Sequence, residues 1–342
     1  HPHIGTNKLP KIIENIRQHI EYCGGDIKFN QLLQNINITN SKIESIEVKD
    51  LVNEDVKILN INHLILATGH SARDIFNLLD KNKIDLEFKP FSLGVRVEHQ
   101  QSVIDSIQYH CSVDEVSKTR EFLPAASYSW VKRVDERGVY SFCMCPGGII
   151  APCATDEQEV VTNGWSPSKR NNPFSNSGIV VSIDPTDFSN PEHPFVCLEF
   201  QQSIEKASWE AAGRTQKVPA QCLKDFVQQK KSTEFPRSSY QPGIISVEMD
   251  EIFPSFVIDR LRKAFIDFDK KMPGFVTNDA VIHAPESRTS SPVLIPRDPE
   301  SWQHISVSNL YPCAEGAGYA GGIVSAAIDG MNCVSKICQK EA

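Results

Sequence analysis

The chain has 342 residues, 40% of them hydrophobic and 23% charged, with a formal net charge of −8 and a pI of about 5.7. That length suffices for two domains with a sizeable core. The acidic balance suits a general binder of phosphate backbones poorly, so no nucleic-acid partner is expected. No run approaches the ~18 apolar residues of a membrane span and no signal-peptide core is present, so a cytoplasmic protein without membrane contact is expected. The sequence opens His1-Pro2-His3-Ile4-Gly5-Thr6 and reads as a cut in a longer protein.

In chain order, residues 7–23 carry apolar positions at helical spacing (Leu9, Ile12, Ile13, Ile16, Ile20) and stop at Gly24-Gly25, which predicts a helix. Short β-like runs follow at Asp26–Phe29, Leu32–Thr39 and Lys42–Val48, with Asn40-Ser41 as the turn of an antiparallel meander. Ile61–Ala67 is nearly continuous in apolar residues, the pattern of a strand buried on both faces. It ends at Thr68-Gly69, and Ser71 is positioned to cap a helix over 72–81.

From about 88 to 280 the texture changes to an α+β mixture. Strands are expected at Phe91–Glu98, Val139–Met144 and Gly178–Ile183, and helices near 199–212, 219–230 and 254–268. The last segment returns to the earlier style, with strands at Val281–Ile282 and Leu310–Tyr311 and a small-residue helix from Gly321 to Cys338. The expected organisation is an α/β fold: a first domain from 1–88 and 281–342, with a substrate or cap domain, 89–280, inserted into it.

Four motifs carry chemistry. The strongest runs from Tyr311 to Ala327: a strand, a loop with Glu315, Gly316, Ala317, Gly318, Gly321 and Gly322, then a helix starting near Ile323. Glycine lets a ligand approach the backbone, and a helix N-terminus offers free N–H groups, so ligand binding is expected. The spacing is neither that of a P-loop nor that of the usual dinucleotide fingerprint. The second motif is Ala67-Thr68-Gly69-His70, again a strand ending in a glycine turn, where ligands sit in doubly wound sheets. The third is Arg288-Thr289-Ser290-Ser291, a donor cluster suited to a carboxylate, a phosphate or the polar edge of a ring system, or equally to a surface turn.

The fourth is Cys143-Met144-Cys145-Pro146-Gly147-Gly148, where a thiol could react if its pKa were depressed, against the reading of buried structural thiols. The ten cysteines contain no Cys-x-x-Cys pair and no second pair to complete a zinc site, so no metal is expected. His3, His70, Arg96, Glu98, His99, Cys143 and Cys145 are scattered acid, base, anion-clamp or thiol candidates; nothing in their spacing brings them together.

The motifs converge on a resemblance. The chain resembles the FAD-dependent dehydrogenases often labelled NAD(FAD)-utilising dehydrogenases. The matching residues are His3-Ile4-Gly5-Thr6, Ala67–Asp74, Lys89-Pro90-Phe91, Gly94–His99, Phe142–Gly148, Val161–Gly164, Arg288–Pro292 and Glu315–Gly322. The resemblance implies an oxidoreductase with FAD and a small-molecule substrate, built on a Rossmann-like FAD domain interrupted by a second domain. It implies that Ala67-Thr68-Gly69 lies near the nucleotide portion of the flavin. By the same resemblance, the loop from Glu315 to Ile323 approaches the ribityl, pyrophosphate and ring, and Arg288–Ser291 the isoalloxazine.

Two departures matter. No Gly-x-Gly-x-x-Gly segment with its following acidic residue occurs here, so the first βαβ unit is missing and it stays open whether this chain holds FAD alone. Ala314 stands where the family usually has Gly, tolerable at negative φ and awkward otherwise. Two alternatives stay open, a non-catalytic flavin- or ligand-binding module and a flavin-dependent RNA-modifying enzyme, as does the oligomeric state. No second dinucleotide fingerprint supports the NAD label.

Overall fold

The computed structural model describes residues 3–341. Contacts divide the chain into two compact units: His1–Asn15, Ser92–Ile183 and Phe200–Thr289 form one, and Ile16–Phe91, Asp184–Glu199 and Ser290–Ala342 the other. These bounds differ from the sequence expectation of 1–88 with 281–342. Residues 281–289 cluster with the larger unit because they supply one of its inner strands, and 184–199 cluster with the smaller one.

Helix α1 (Leu9–Tyr22) fills the expected helical segment, yet Ile12, Ile13, Ile16 and Ile20 are exposed and no residue of the helix is buried. Strands β1 (Gln31–Thr39), β2 (Lys42–Asp50) and β3 (Val56–Asn60) form the antiparallel meander. Asn40 and Ser41 both take positive φ, 51° and 59°, the backbone whose twist matches a tight hairpin. Asp26–Phe29 is irregular instead of the expected strand.

Strand β4 (Leu64–Leu66) realises only the centre of the expected Ile61–Ala67 run. Leu66 is buried but Ile65 is exposed, so the strand is covered on one face and not on both. Helix α2 (Arg73–Lys81) follows, with Ala72 at its N-cap instead of the Ser71 expected from the sequence. Its Ile75, Phe76, Leu78 and Leu79 enter a core shared with Ile36, Ile43, Leu66, Val293 and Leu310.

A short strand β5 (Glu87–Phe88) closes this stretch. The chain then enters the main part of the larger unit with β6 (Phe91–Gln100), α3 (Gln101–Tyr109) and α4 (Val116–Thr119). Strands β7 (Val131–Val134), β8 (Arg137–Cys145), β9 (Ile149–Pro152), β10 (Thr162–Trp165) and β11 (Phe174–Ile183) come next. After α5 (Val196–Ala211) come β12 (Val218–Cys222), α6 (Leu223–Val227), β13 (Ile244–Ser246), α7 (Ser255–Lys271) and β14 (Val281–Glu286). The helix expected at 219–230 is therefore a strand followed by one short turn. All five residues of β12 are buried, and a short apolar run cannot be told from a helix by periodicity.

Seven of these strands form a mixed sheet in the order β13-β12-β14-β6-β11-β8-β7. β13 runs parallel to β12, while β12–β14, β14–β6, β11–β8 and β8–β7 are antiparallel. The central strands β6 and β11 are buried almost throughout, as expected for strands covered on both faces. Helices α3 and α7 pack on β11. The stripe on α7 is Val257, Ile258, Leu261, Ala264, Phe265 and Phe268, and each large side chain so buried contributes about 1.5–3 kcal/mol.

In the smaller unit, β15 (Val293–Leu294) pairs with β5, and β16 (Leu310–Pro312) pairs with β4 in parallel. The chain ends in α8 (Ile323–Glu341).

Candidate functional site

The parallel register sets Leu310 beside Leu64, Tyr311 beside Ile65 and Pro312 beside Leu66. Both strands therefore release their chains side by side at their carboxyl ends. The Cys313 N–H donates to the Leu66 carbonyl at 3.0 Å and extends the pairing into the loops. There the two glycine motifs meet backbone to backbone. A Cβ on Gly316 would lie 2.5 Å from the Gly69 carbonyl oxygen, a clash no side chain could relieve. Gly69 itself takes a left-handed φ of 75° and faces open space. Ala67, Thr68, Gly321 and Ile323 are exposed, while Gly316 and Ala317 are buried; Gly69, Glu315, Gly318 and Gly322 are intermediate.

Ala314 has φ 63°, the conformation in which its methyl is awkward. A left-handed non-glycine residue costs about 1–2 kcal/mol. Its N–H donates to Asp329 Oδ2 at 2.7 Å, and Asp329 also accepts two bonds from Arg297, at 2.7 and 3.0 Å. The Arg297 guanidinium lies 3.8 Å from the ring centres of both Trp302 and Tyr319. Although burial opposes ionisation, the Arg297 charge and the Ala314 N–H hold Asp329 below the usual carboxylate range. This clamp ties the start of the loop to α8.

Charged side chains flank the loops. Lys89 Nζ donates to the Gly318 carbonyl at 2.6 Å; burial lowers its pKa and the Glu315 carboxylate works against that shift. His70 Nδ1 lies 3.7 Å from Glu315 Oε1.

In the donor cluster, Arg288 and Thr289 are engaged within the larger unit and Ser291 within the smaller one. Arg288 is held by Glu205 through Nε at 3.0 Å and by Glu159 through Nη2 at 3.0 Å, and donates to Thr155 at 2.6 Å. Burial disfavours its charge, but Glu205 and Glu159 outweigh that and raise its pKa. Two carboxylates around one guanidinium leave no net positive charge there for an anion. Thr289 is buried and donates to the Ser92 carbonyl, Ser290 is half-buried, and buried Ser291 donates to the Val293 carbonyl.

The scattered candidates fall into two kinds. His3 is exposed, with Nε2 3.1 Å from the Pro167 carbonyl oxygen. Arg96 is 0% exposed and forms a bidentate pair with Glu286 at 2.6 Å, with further bonds to Asn176 at 2.7 Å and the Cys143 carbonyl at 3.4 Å. Burial opposes its charge, and Glu286 more than offsets this, so its pKa is raised. Cys145 lies in the same cluster, because a Cβ on Gly164 would meet Arg96, Cys145 and Asn176 at once. Burial pushes the Cys145 thiol up, so it stays protonated, whereas Cys143 is exposed with φ 45°. His99 is buried against Phe275, donates from Nε2 to the Phe275 carbonyl at 2.8 Å, and is pushed down to about 4 by burial. Glu98 accepts from the Ser239 N–H at 2.9 Å and from its hydroxyl. The structure thus joins Arg96, Cys143 and Cys145 in one cluster.

Sequence reasoning missed Lys89, Arg297 and Asp329 as loop partners and Glu159, Glu205 and Glu286 as arginine partners. None follows a local pattern: Glu205 lies 83 residues from Arg288 and Glu286 lies 190 from Arg96. Among the described residues no group of three His, Cys, Asp or Glu side chains is arranged to hold a metal, and no helix is long and apolar enough to cross a membrane.

Comparison with known proteins bears on this geometry. Residues 90–289 match the family model described as "FAD-dependent protein, C-terminal domain-like". A protein of Clostridium beijerinckii, described as an uncharacterized protein, is 37% identical over 342 residues. The alignment covers 99% of this chain but 62% of that relative, so the chain spans less than two thirds of its length. Among solved structures, the substrate-free form of the rebeccamycin biosynthetic enzyme REBC is similar over 46% of this chain and 23% of its own, at 9% identity and a TM-score of 0.20, which is too low to carry a structural argument.

Proposed function

The chain belongs to the family of FAD-dependent protein, C-terminal domain-like, domains, and from that premise we propose that the full-length protein is an FAD-dependent oxidoreductase acting on a small-molecule substrate. The observation that carries this reading is the pair of glycine loops at the carboxyl ends of β4 and β16. Ligands of open parallel sheets lie at such ends, and the contact of Gly316 with Gly69 leaves peptide groups bare of side chains. A bound FAD would supply hydride acceptance and return. The residues that would hold it are the backbone of Ala67–Gly69, the loop Glu315–Gly318 and the first N–H groups of α8 near Gly321–Ile323. The Arg297–Asp329 clamp would keep that loop in place, and Lys89 would fix the Gly318 carbonyl.

In the proposed reading the smaller unit is an incomplete Rossmann-like FAD domain. Two features support this. Among the described residues β4 pairs with β16 alone, and a two-stranded parallel sheet is marginal by itself. On α8 only Asp329 and Cys333 are buried, while Val324 is 65% and Met331 71% exposed. Both surfaces fit a domain completed by further polypeptide.

The test is the absorption spectrum of the full-length protein, with Gly316→Val beside it. Flavin bands near ~370 and ~450 nm are expected, together with at least about tenfold weaker flavin binding in the variant and bleaching of the long-wavelength band by an electron donor. A full-length protein that purifies without flavin and takes up none on reconstitution overturns the reading. Flavin that no donor reduces would leave a binding module in place of an enzyme.

A further inference from the structure

We propose that Cys313 and Cys333 are a redox-active dithiol that closes to a disulfide and locks the glycine-rich loop to α8. All ten cysteines are free thiols, and these two form one buried cluster with Tyr311, at 1% and 0% exposure, walled by Trp302, Ala314 and Ile337. Each thiol perturbs the ionisation of the other. Cys313 is the residue before Ala314, whose N–H is held by Asp329, and Cys333 follows Asp329 by one helical turn on the same face of α8. A disulfide would therefore make covalent a junction that the Arg297–Asp329–Ala314 clamp already makes by hydrogen bonds.

The chemistry distinguishes this pair from the other buried cysteines. Burial first, with neighbouring carboxylates, pushes Cys145 and Cys222 up, and Cys197 up to about 12, the pattern of inert structural thiols. At Cys333 the neighbouring Cys313 thiol outweighs burial and, with the Arg297 charge, lowers the pKa, while the Cys333 thiol and burial raise that of Cys313. Cys333 is thus the attacking thiol and Cys313 the resolving one. The oxidant is a hydroperoxide. The Cys333 sulfur takes one oxygen from hydrogen peroxide, giving a sulfenic acid and one water. The Cys313 sulfur then attacks that sulfur, the S–S bond forms, and the hydroxyl leaves with the Cys313 proton as a second water. Two thiols lose two electrons, and one peroxide becomes two waters. Both thiols are buried, so peroxide reaches them through local opening of this cluster.

The experiment is peptide mapping of the full-length protein after reduction, exposure to hydrogen peroxide, denaturation and alkylation of the remaining thiols. The expected result is a linked pair of peptides holding Cys313 and Cys333, lighter by two hydrogens, split by dithiothreitol and absent from Cys313→Ser. Cys338→Ser, which removes an exposed thiol on the same helix, should keep the link. Full alkylation of both cysteines after peroxide, or a link from Cys333 to Cys338 instead, overturns the proposal. This readout does not require bound flavin, so its failure is separate from failure of the oxidoreductase reading.

Discussion

The larger unit and the smaller one satisfy their residues differently. In the larger unit the interior is closed: β6 and β11 are buried along their length, and its buried arginines Arg96 and Arg288 are neutralised by Glu286, Glu205 and Glu159. In the smaller unit the core is local, built by α2, β1, β4 and β16. The apolar residues of β3 (Val56, Ile58 and Leu59) and the face of α8 stay exposed. A finished core tolerates buried charge only when it is paired, whereas exposed apolar faces and bare glycine loops mark surfaces meant to be covered.

Breaking the closed interior should give the largest effect. Arg96→Ala leaves Glu286 and Asn176 without their partner in a site with no access to water. It is expected to cost about 3–5 kcal/mol, read as a lower midpoint in urea unfolding. A variant with an unchanged midpoint would show that the guanidinium is not a support of the sheet.

Acid should sharpen the same contrast. His99 is neutral in the fold, with its pKa pushed down to about 4, against about 6.5 when unfolded; His283, buried in the same sheet, is lowered too. Above pH 6.5 neither state takes up the proton and the groups contribute no pH dependence. As pH falls from about 6.5 towards 4 the unfolded chain binds protons that the fold refuses, so stability is lost, by about 3 kcal/mol for His99. His99→Phe should flatten the fall in unfolding free energy over that window. A slope equal to that of the unmodified protein would contradict the assignment.

The smallest expected effect lies at the loops. Ala314→Gly removes a methyl from a left-handed position and should raise stability by about 1 kcal/mol, or a few degrees in Tm. A loss of stability would mean that the packing of the Ala314 side chain beside Cys313 outweighs the backbone strain.

Much of the local structure was legible. The isoleucine spacing gave α1, the Asn40-Ser41 turn gave the β1–β2 hairpin, and the apolar stripe gave α7. β12 reads as part of a helix because Val218-Pro219-Ala220-Gln221-Cys222 carries no period of its own. β4 was expected to be buried on both faces from its composition, yet Ile65 is exposed, since burial depends on neighbours that a strand does not encode. The glycine motifs were visible as sequence, but their meeting at Gly69 and Gly316, 247 residues apart, was not.

What the sequence by itself determined are the properties set by nearest neighbours along the chain. These are helix and turn positions, the glycines that permit left-handed backbone, the acidic charge, and the motifs whose resemblance points to FAD. The tertiary structure alone decided which charges are neutralised, which thiols share a cluster and which apolar faces lie open. Those depend on residues tens to hundreds of positions apart, and no local period or propensity records which distant side chain will satisfy a buried group.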